Sequence, residues 1–181
     1  EESGNAWLSV GGKLYVATPQ GQVSLARTYP EIITGLSIES DRKKVWVGQC
    51  GAVYAYDHAS STHYGLTPPL AQRPIRAVEF DGFNNRIWVM GPTNVLVMDR
   101  ITGATYGNKS IANQDALAWL AADGSGRMWS AGSQGNLRRL GPDANTQILV
   151  RPFNTIFPEQ IERISGLAAN RRDGSAWVGG L

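Results

Sequence analysis

Tryptophan recurs through this 181-residue chain at nearly constant intervals. A period of about 40 to 50 residues is typical of propeller and solenoid repeat arrays. The five repeated tryptophans, which are 39, 42, 41 and 48 residues apart, are Trp7, Trp46, Trp88, Trp129 and Trp177. The repeat extends beyond the tryptophan, because the eighth residue after it is Tyr15, Tyr54, Leu96 or Leu137 in the first four units.

A second short apolar stretch precedes each of the last four tryptophans. It runs from Gly35 to Ile38 before Trp46, and from Ala77 to Phe80 before Trp88. The segments between stretch and tryptophan are rich in Asp, Asn and Gly, the residues that tight turns favour. Short β-branched and aromatic runs joined in this way indicate antiparallel hairpins, and helical periodicity is nearly absent.

We therefore predict an all-β fold of β-propeller blades, each with four short antiparallel strands, A to D from axis to rim. The chain holds about four and a half blades. Their approximate bounds are 5–28 (strands B to D), 32–66, 75–111, 116–150 and 162–180 (strands A and B). Each B-strand tryptophan is expected to lie between neighbouring sheets, so replacing any of them by alanine should cost about 3–5 kcal/mol.

The two ends of the repeat leave ring closure open. The chain could be a segment of a longer propeller or part of a ring completed between chains. In a self-closed four-blade ring, residues 165–169 would join the N-terminal strands and leave the strand of Trp177 without a place. Before that strand, Pro158, Ile161 and Ile164 allow either one short helical turn or an extended loop.

Composition excludes several classes of partner. Seventeen basic residues stand against fifteen acidic ones, a net charge of +2, and they are scattered rather than clustered. Nucleic-acid binding relies on a basic stripe, so none is expected. The apolar runs fall far short of the roughly 20 residues that cross a bilayer, so no membrane span is expected. The single cysteine, Cys50, cannot form an internal disulfide.

No motif supplies a catalytic or metal-binding set. His58 and His63 lie near Asp57, but zinc needs three or four converging ligands, so we interpret them as an exposed turn pair. The segments Asp123-Gly-Ser-Gly and Asp173-Gly-Ser lack the alternating acids of a calcium loop and are interpreted as hairpin turns. Neither a phosphate-binding loop nor a Ser-His-Asp arrangement can be assembled. We expect no cofactor and no metal.

Three segments resemble the repeats of two-component-regulator propellers and of streptogramin (virginiamycin B) lyase propellers. They are 44–57, 123–129 and 173–181, and the repeat-level resemblance covers nearly the whole chain. The regulator resemblance implies a non-catalytic, extracytoplasmic (periplasmic or secreted) sensing or interaction domain. The lyase resemblance implies an enzyme with histidines and carboxylates on the propeller face, commonly with a divalent cation. His58 and His63 are expected at the rim on the opposite face, and no catalytic set can be matched.

The face built by the B-to-C and D-to-A loops is the predicted binding surface, since loops on a rigid scaffold carry function. Arg73 and Arg76 flank Pro74 and are the first choice for a contact pair. The full predicted set is Glu31, Gln49, Arg73, Arg76, Asn94, Asp115 and Gln134.

The main hypothesis is a non-catalytic interaction or ligand-sensing module for a protein partner or a small ligand. One alternative is a structural subunit of a larger assembly, such as a virion or surface complex, with blades completed by neighbours. The other is a lyase-like enzyme.

Overall fold

Short antiparallel strands make up the regular structure. The computed structural model describes residues 4–39, 41, 43–68, 70–110, 117–132, 136–144, 147–152 and 164–180. Within these ranges there are seventeen strands, and no helix there is long and apolar enough to span a membrane. The chain divides into two compact units, Glu1–Val78 and Glu79–Leu181, and the boundary falls inside the strand Ala77–Asp81.

Each sheet is formed by strands that follow one another in the sequence. The three-stranded sheet contains β1 (Ala6–Val10), β2 (Lys13–Ala17) and β3 (Val23–Thr28). The next contains β4 (Gly35–Glu39), β5 (Lys44–Gln49), β6 (Ala52–Tyr56) and β7 (Ser61–Gly65).

The third contains β8 (Ala77–Asp81), β9 (Arg86–Met90), β10 (Asn94–Asp99) and β11 (Thr105–Ser110). The fourth contains β12 (Leu117–Ala122), β13 (Met128–Gly132), β14 (Asn136–Leu140) and β15 (Gln147–Pro152). The last pairs β16 (Ile164–Ala169) with β17 (Ala176–Gly180). All pairings are antiparallel, which confirms the predicted fold class of repeated four-stranded units.

The core of the first unit joins two sheets through the alternating faces of β5. Val45 and Val47 are fully buried against Leu14 of β2 and the partly buried Trp7 of β1. Successive side chains of a strand point to opposite faces, so Trp46 lies on the other side. Trp46 is also fully buried, and its Nε1 donates a 2.9 Å hydrogen bond to Oε2 of the buried Glu39.

The second unit repeats this arrangement between β13 and the last sheet. Trp129 of β13 packs with Ile164 of β16 and, on β17, with Ala176 and Val178. Its Nε1 donates to the carbonyl oxygen of Gly174 at 3.1 Å. In both units, therefore, a tryptophan meets the residues that flank the tryptophan of the following sheet.

Trp177 corrects the expectation that every repeated tryptophan is buried. Trp46 and Trp88 are fully buried, whereas the Trp177 side chain is 71% exposed. The reason is strand alternation: Ala176 and Val178 face the core of the unit, so the indole between them points to the uncovered side of the sheet. The helical turn considered before β16 falls on residues 153–163, outside the described residues.

Candidate functional site

Two connections of the first unit are hydrogen-bonded to the turn between β5 and β6. The first runs through residues 29–34, between β3 and β4, and the second through 66–76, between β7 and β8. Gln49, 1% exposed at the end of β5, donates its side-chain N–H to the Glu31 carbonyl of the first connection. Two residues later, Gly51 N–H donates to the Arg73 carbonyl of the second at 3.0 Å. The turn thus brings Glu31 and Arg73 to the same place.

The first connection is also fixed to the β1–β2 turn. Tyr29 N–H donates to the Gly12 carbonyl and Ile33 N–H to the Gly11 carbonyl, both at 2.8 Å. A Cβ at Gly12 would lie 2.8 Å from the carbonyl oxygens of Tyr29 and Glu31, so only glycine allows this approach. Burial raises the pKa of Tyr29, and its hydroxyl contacts Ser61 Oγ at 3.3 Å. The connection is therefore held in one conformation.

The second connection is stiffened in a similar way. Leu70 N–H donates to the Thr67 carbonyl and Arg73 N–H to the Leu70 carbonyl, both at 3.1 Å. Leu66 N–H donates to the Gly51 carbonyl at 2.9 Å, and the ring of Pro74 restricts the φ of that residue. The exposed Arg73 borders an open hollow of about 430 Å³, lined also by Pro68, Ala71 and Gln72.

Exposed charged and apolar side chains project from these fixed connections. Glu31, Arg73 and Arg76 are exposed, with opposite charges on the two connections. Ile32 is 66% exposed beside Glu31, and sequence reasoning did not select it. The sequence signal that could identify Ile32 is the adjacent pair Ile32 and Ile33 in a loop, because only one isoleucine of such a pair can be buried. We call Glu31, Ile32, Arg73 and Arg76 the loop surface.

Of the other predicted site residues, Gln49 and Asn94 are buried rather than exposed on the loops. Gln49 is buried, and its Oε1 has no hydrogen-bond partner in the described part of the chain. Asn94, in the second unit, is 7% exposed and accepts a 3.0 Å hydrogen bond from Thr93 Oγ1. Asp115 and Gln134 lie outside the described residues. The structure therefore brings together Glu31, Gln49 and Arg73, with Arg76 on the same connection as Arg73.

Both histidines contact aromatic rings. His58 has a φ of 72° and lies edge-on to Trp7 at 5.2 Å between centroids, while His63 lies 4.9 Å from Tyr54. Across the described ranges, no three His, Cys, Asp or Glu side chains are grouped so that they could hold a metal ion.

The comparisons with known proteins define the class of fold. No protein-family model matches the sequence, and no curated protein matches it. Solved β-propeller structures match almost the whole chain, so the chain has the β-propeller fold, and the resemblance to propeller repeats is confirmed.

Three of these structures illustrate the match. The H270A virginiamycin B lyase of Staphylococcus aureus with quinupristin has a TM-score of 0.75 at 14% identity over 98% of this chain. YCF48 bound to a D1 peptide has 0.72 at 12% over 98%, and a mitotic checkpoint complex chain has 0.72 at 16% over 96%. The matches cover only 58% or 59% of those chains, so this chain corresponds to less than two thirds of their length.

Proposed function

We propose that this chain is a non-catalytic binding module that recognises a protein segment through the loop surface. The observation that carries the proposal is the pair of hydrogen bonds by which the β5–β6 turn holds both connections. Because these bonds are formed by Gln49 and by backbone groups, they do not occupy the side chains of Glu31, Arg73 and Arg76. Fixing loops before binding reduces the entropy lost on association.

The chemistry of the loop surface indicates the kind of segment. Two exposed arginines on a stiff connection favour a partner with carboxylates, since guanidinium groups bind them in a bidentate way. The exposed Ile32 next to Glu31 supplies an apolar contact. An acidic peptide with an apolar residue fits this combination. A peptide is also the partner present in the matched YCF48 structure.

A random peptide display library tests the proposal. Peptides selected on the wild-type chain are expected to be acidic. Their affinity, measured by calorimetry, should fall at least about tenfold for Arg73→Ala/Arg76→Ala, since a charged hydrogen bond contributes roughly 1.5–3 kcal/mol. The matched control is Lys13→Ala/Arg27→Ala, two exposed cations on the first sheet, with the same change of charge. Equal losses in both variants, or no enrichment of peptides, would contradict the proposal.

A second candidate function, a subunit of a larger assembly, is favoured by an exposed apolar face in the first unit. Leu8, Tyr15 and Leu25 are cross-strand partners on the face of β1–β2–β3 that points away from the core. Leu8 is 38% exposed, Leu25 53% and the neighbouring Val10 67%. Apolar patches on one face of a sheet mark interaction surfaces.

The repeat itself indicates what this face would bind. Within each unit, a tryptophan packs on the residues that flank the next tryptophan. Leu8 flanks Trp7 and is exposed, and Trp177 is an exposed tryptophan, so the two surfaces are complementary. A second copy of the chain would bring Trp177 against the Leu8 face in a head-to-tail contact. Light scattering coupled to gel filtration tests this candidate, because it requires an oligomer in solution.

A further inference from the structure

The second unit contains a basic hollow that the proposed function does not use. Its volume is about 270 Å³, and it lies between the β12–β13 and β16–β17 turns. Four arginines and two aspartates contribute to its lining: Arg127, Arg139, Arg171, Arg172, Asp123 and Asp173. We call these residues, together with Gly124, Ser125 and Gly174, the arginine hollow.

The two turns that form the arginine hollow are packed directly on each other. Gly124 has a φ of +76°, and a Cβ added there would overlap the carbonyl group of Arg171. The hydrogen bond from Trp129 Nε1 to the Gly174 carbonyl joins strand β13, which follows the first of these turns, to the β16–β17 turn. The hollow is therefore bounded by backbone that cannot move apart without breaking these contacts.

Its aspartates are engaged by turn backbone and side chains. Asp123 Oδ1 accepts hydrogen bonds from the backbone N–H groups of Ser125 (2.8 Å) and Arg127 (3.1 Å). Asp173 accepts from Ser175 N–H at 2.8 Å and from Asn170 Nδ2 at 2.9 Å. The hydrogen bonds from Ser175 lower the pKa of Asp173, so this carboxylate remains charged.

The arginines are only partly compensated. Arg171 pairs with Glu79 at 3.2 Å, whereas the structure gives no ion pair to Arg127, Arg139 or Arg172 in the described ranges. Arg139 lies over the Trp129 ring, 5.7 Å from its centroid, and its buried Nε has no hydrogen-bond partner among the described residues. A buried polar group of this kind costs free energy unless a partner satisfies it.

We infer that the arginine hollow is a binding site for a phosphate group, either free or as a small phosphate monoester. The four guanidinium groups exceed the two carboxylates of the lining and Glu79, which pairs with Arg171, by one charge, and a phosphate anion supplies the missing negative charge. Guanidinium groups present paired N–H donors that match the oxygens of phosphate. The volume admits a small ligand rather than a folded partner.

Calorimetric titration of the full chain with inorganic phosphate and with phenyl phosphate, at constant ionic strength, tests this inference. Saturable binding is expected, and Arg127→Gln/Arg172→Gln should weaken it at least about tenfold, because two charge-assisted contacts are lost. Tighter binding of phenyl phosphate would identify a monoester as the ligand, and tighter binding of inorganic phosphate would identify the free ion. Both outcomes support the site.

The matched control is Lys13→Gln/Arg27→Gln, which removes the same charge at two exposed cations of the first sheet and should change phosphate affinity less than about twofold. Thermal melting of all variants shows that they remain folded. The inference is wrong if neither probe binds saturably, or if both double variants weaken binding equally. Because the peptide experiment uses the first unit and this one the second, either proposal can fail while the other stands.

Discussion

Asp99 shows how a single carboxylate stabilises a turn between two strands. The backbone N–H groups of Thr102 (2.7 Å) and Ile101 (2.8 Å) donate to its Oδ1 and lower the pKa of Asp99 from 3.8 to about 2. A carboxyl group whose pKa is lower in the folded state than in the unfolded state contributes its full stabilisation at pH values above the unfolded-state pKa. That stabilisation is lost as the pH falls through the pKa of the folded state.

Asp99→Asn should therefore lower the free energy of unfolding at neutral pH, because a neutral amide oxygen is a weaker acceptor than a carboxylate. The difference between wild type and variant should shrink as the pH falls from about 4 toward 2. Urea denaturation at a series of pH values measures this difference in the free energy of unfolding. A difference that stays constant over this range would contradict the assignment of the shift to the turn.

The repeated tryptophans should differ in their contribution to stability. Trp46→Ala removes a fully buried indole and leaves the buried Glu39 carboxyl without its 2.9 Å donor, so a loss of about 3–5 kcal/mol is expected. Trp177→Ala, at the equivalent repeat position, should change the stability of the monomeric chain at low protein concentration by less than about 0.5 kcal/mol, because that indole is 71% exposed. Denaturant unfolding compares the two, and equal losses would show that Trp177 is buried in solution.

At the scale of the element, Gly124 joins two neighbouring hairpins. Alanine there would have both a positive φ and an overlap with the Arg171 carbonyl group. Gly21, with a φ of +80° and nothing within 4 Å of an added Cβ, is the matched control. We expect Gly21→Ala to cost about 1–2 kcal/mol and Gly124→Ala roughly 1–3 kcal/mol more, as measured by thermal or urea unfolding. Similar losses of stability in Gly21→Ala and Gly124→Ala would mean that the two hairpins can move apart without penalty.

The strands could be predicted from sequence because their signals are local. Three local signals predict hairpins such as β4–β5 whatever structure surrounds them. They are the tryptophan period, the apolar stretch before each tryptophan and the turn residues between that stretch and the tryptophan. The burial of Trp177 could not be predicted in this way, because it depends on whether another sheet covers its face. Of the candidate site, the loops were predictable, but the bond from Gln49 to Glu31 joins residues 18 apart and has no sequence signal.

At the scale of the whole molecule, the proposed assembly places Trp177 of one copy against the Leu8 face of the next. Leu8→Lys/Leu25→Lys places charges on the outer face of the first sheet, and Trp177→Lys places one on the last sheet. Each variant alone should be monomeric, while the wild type should form oligomers whose mass rises with concentration. Ile101→Lys, at an exposed isoleucine in the β10–β11 turn, is the control and should associate like the wild type.

Mixing the two variants distinguishes a head-to-tail contact from a symmetric one. The double lysine variant keeps its Trp177, and the Trp177→Lys variant keeps its Leu8 face, so one complementary contact remains between them. A head-to-tail contact therefore predicts a one-to-one heterodimer in the mixture, measured by light scattering. A symmetric contact uses the same patch on both copies, so the variant that keeps this patch uncharged would dimerise by itself, and mixing would produce no heterodimer.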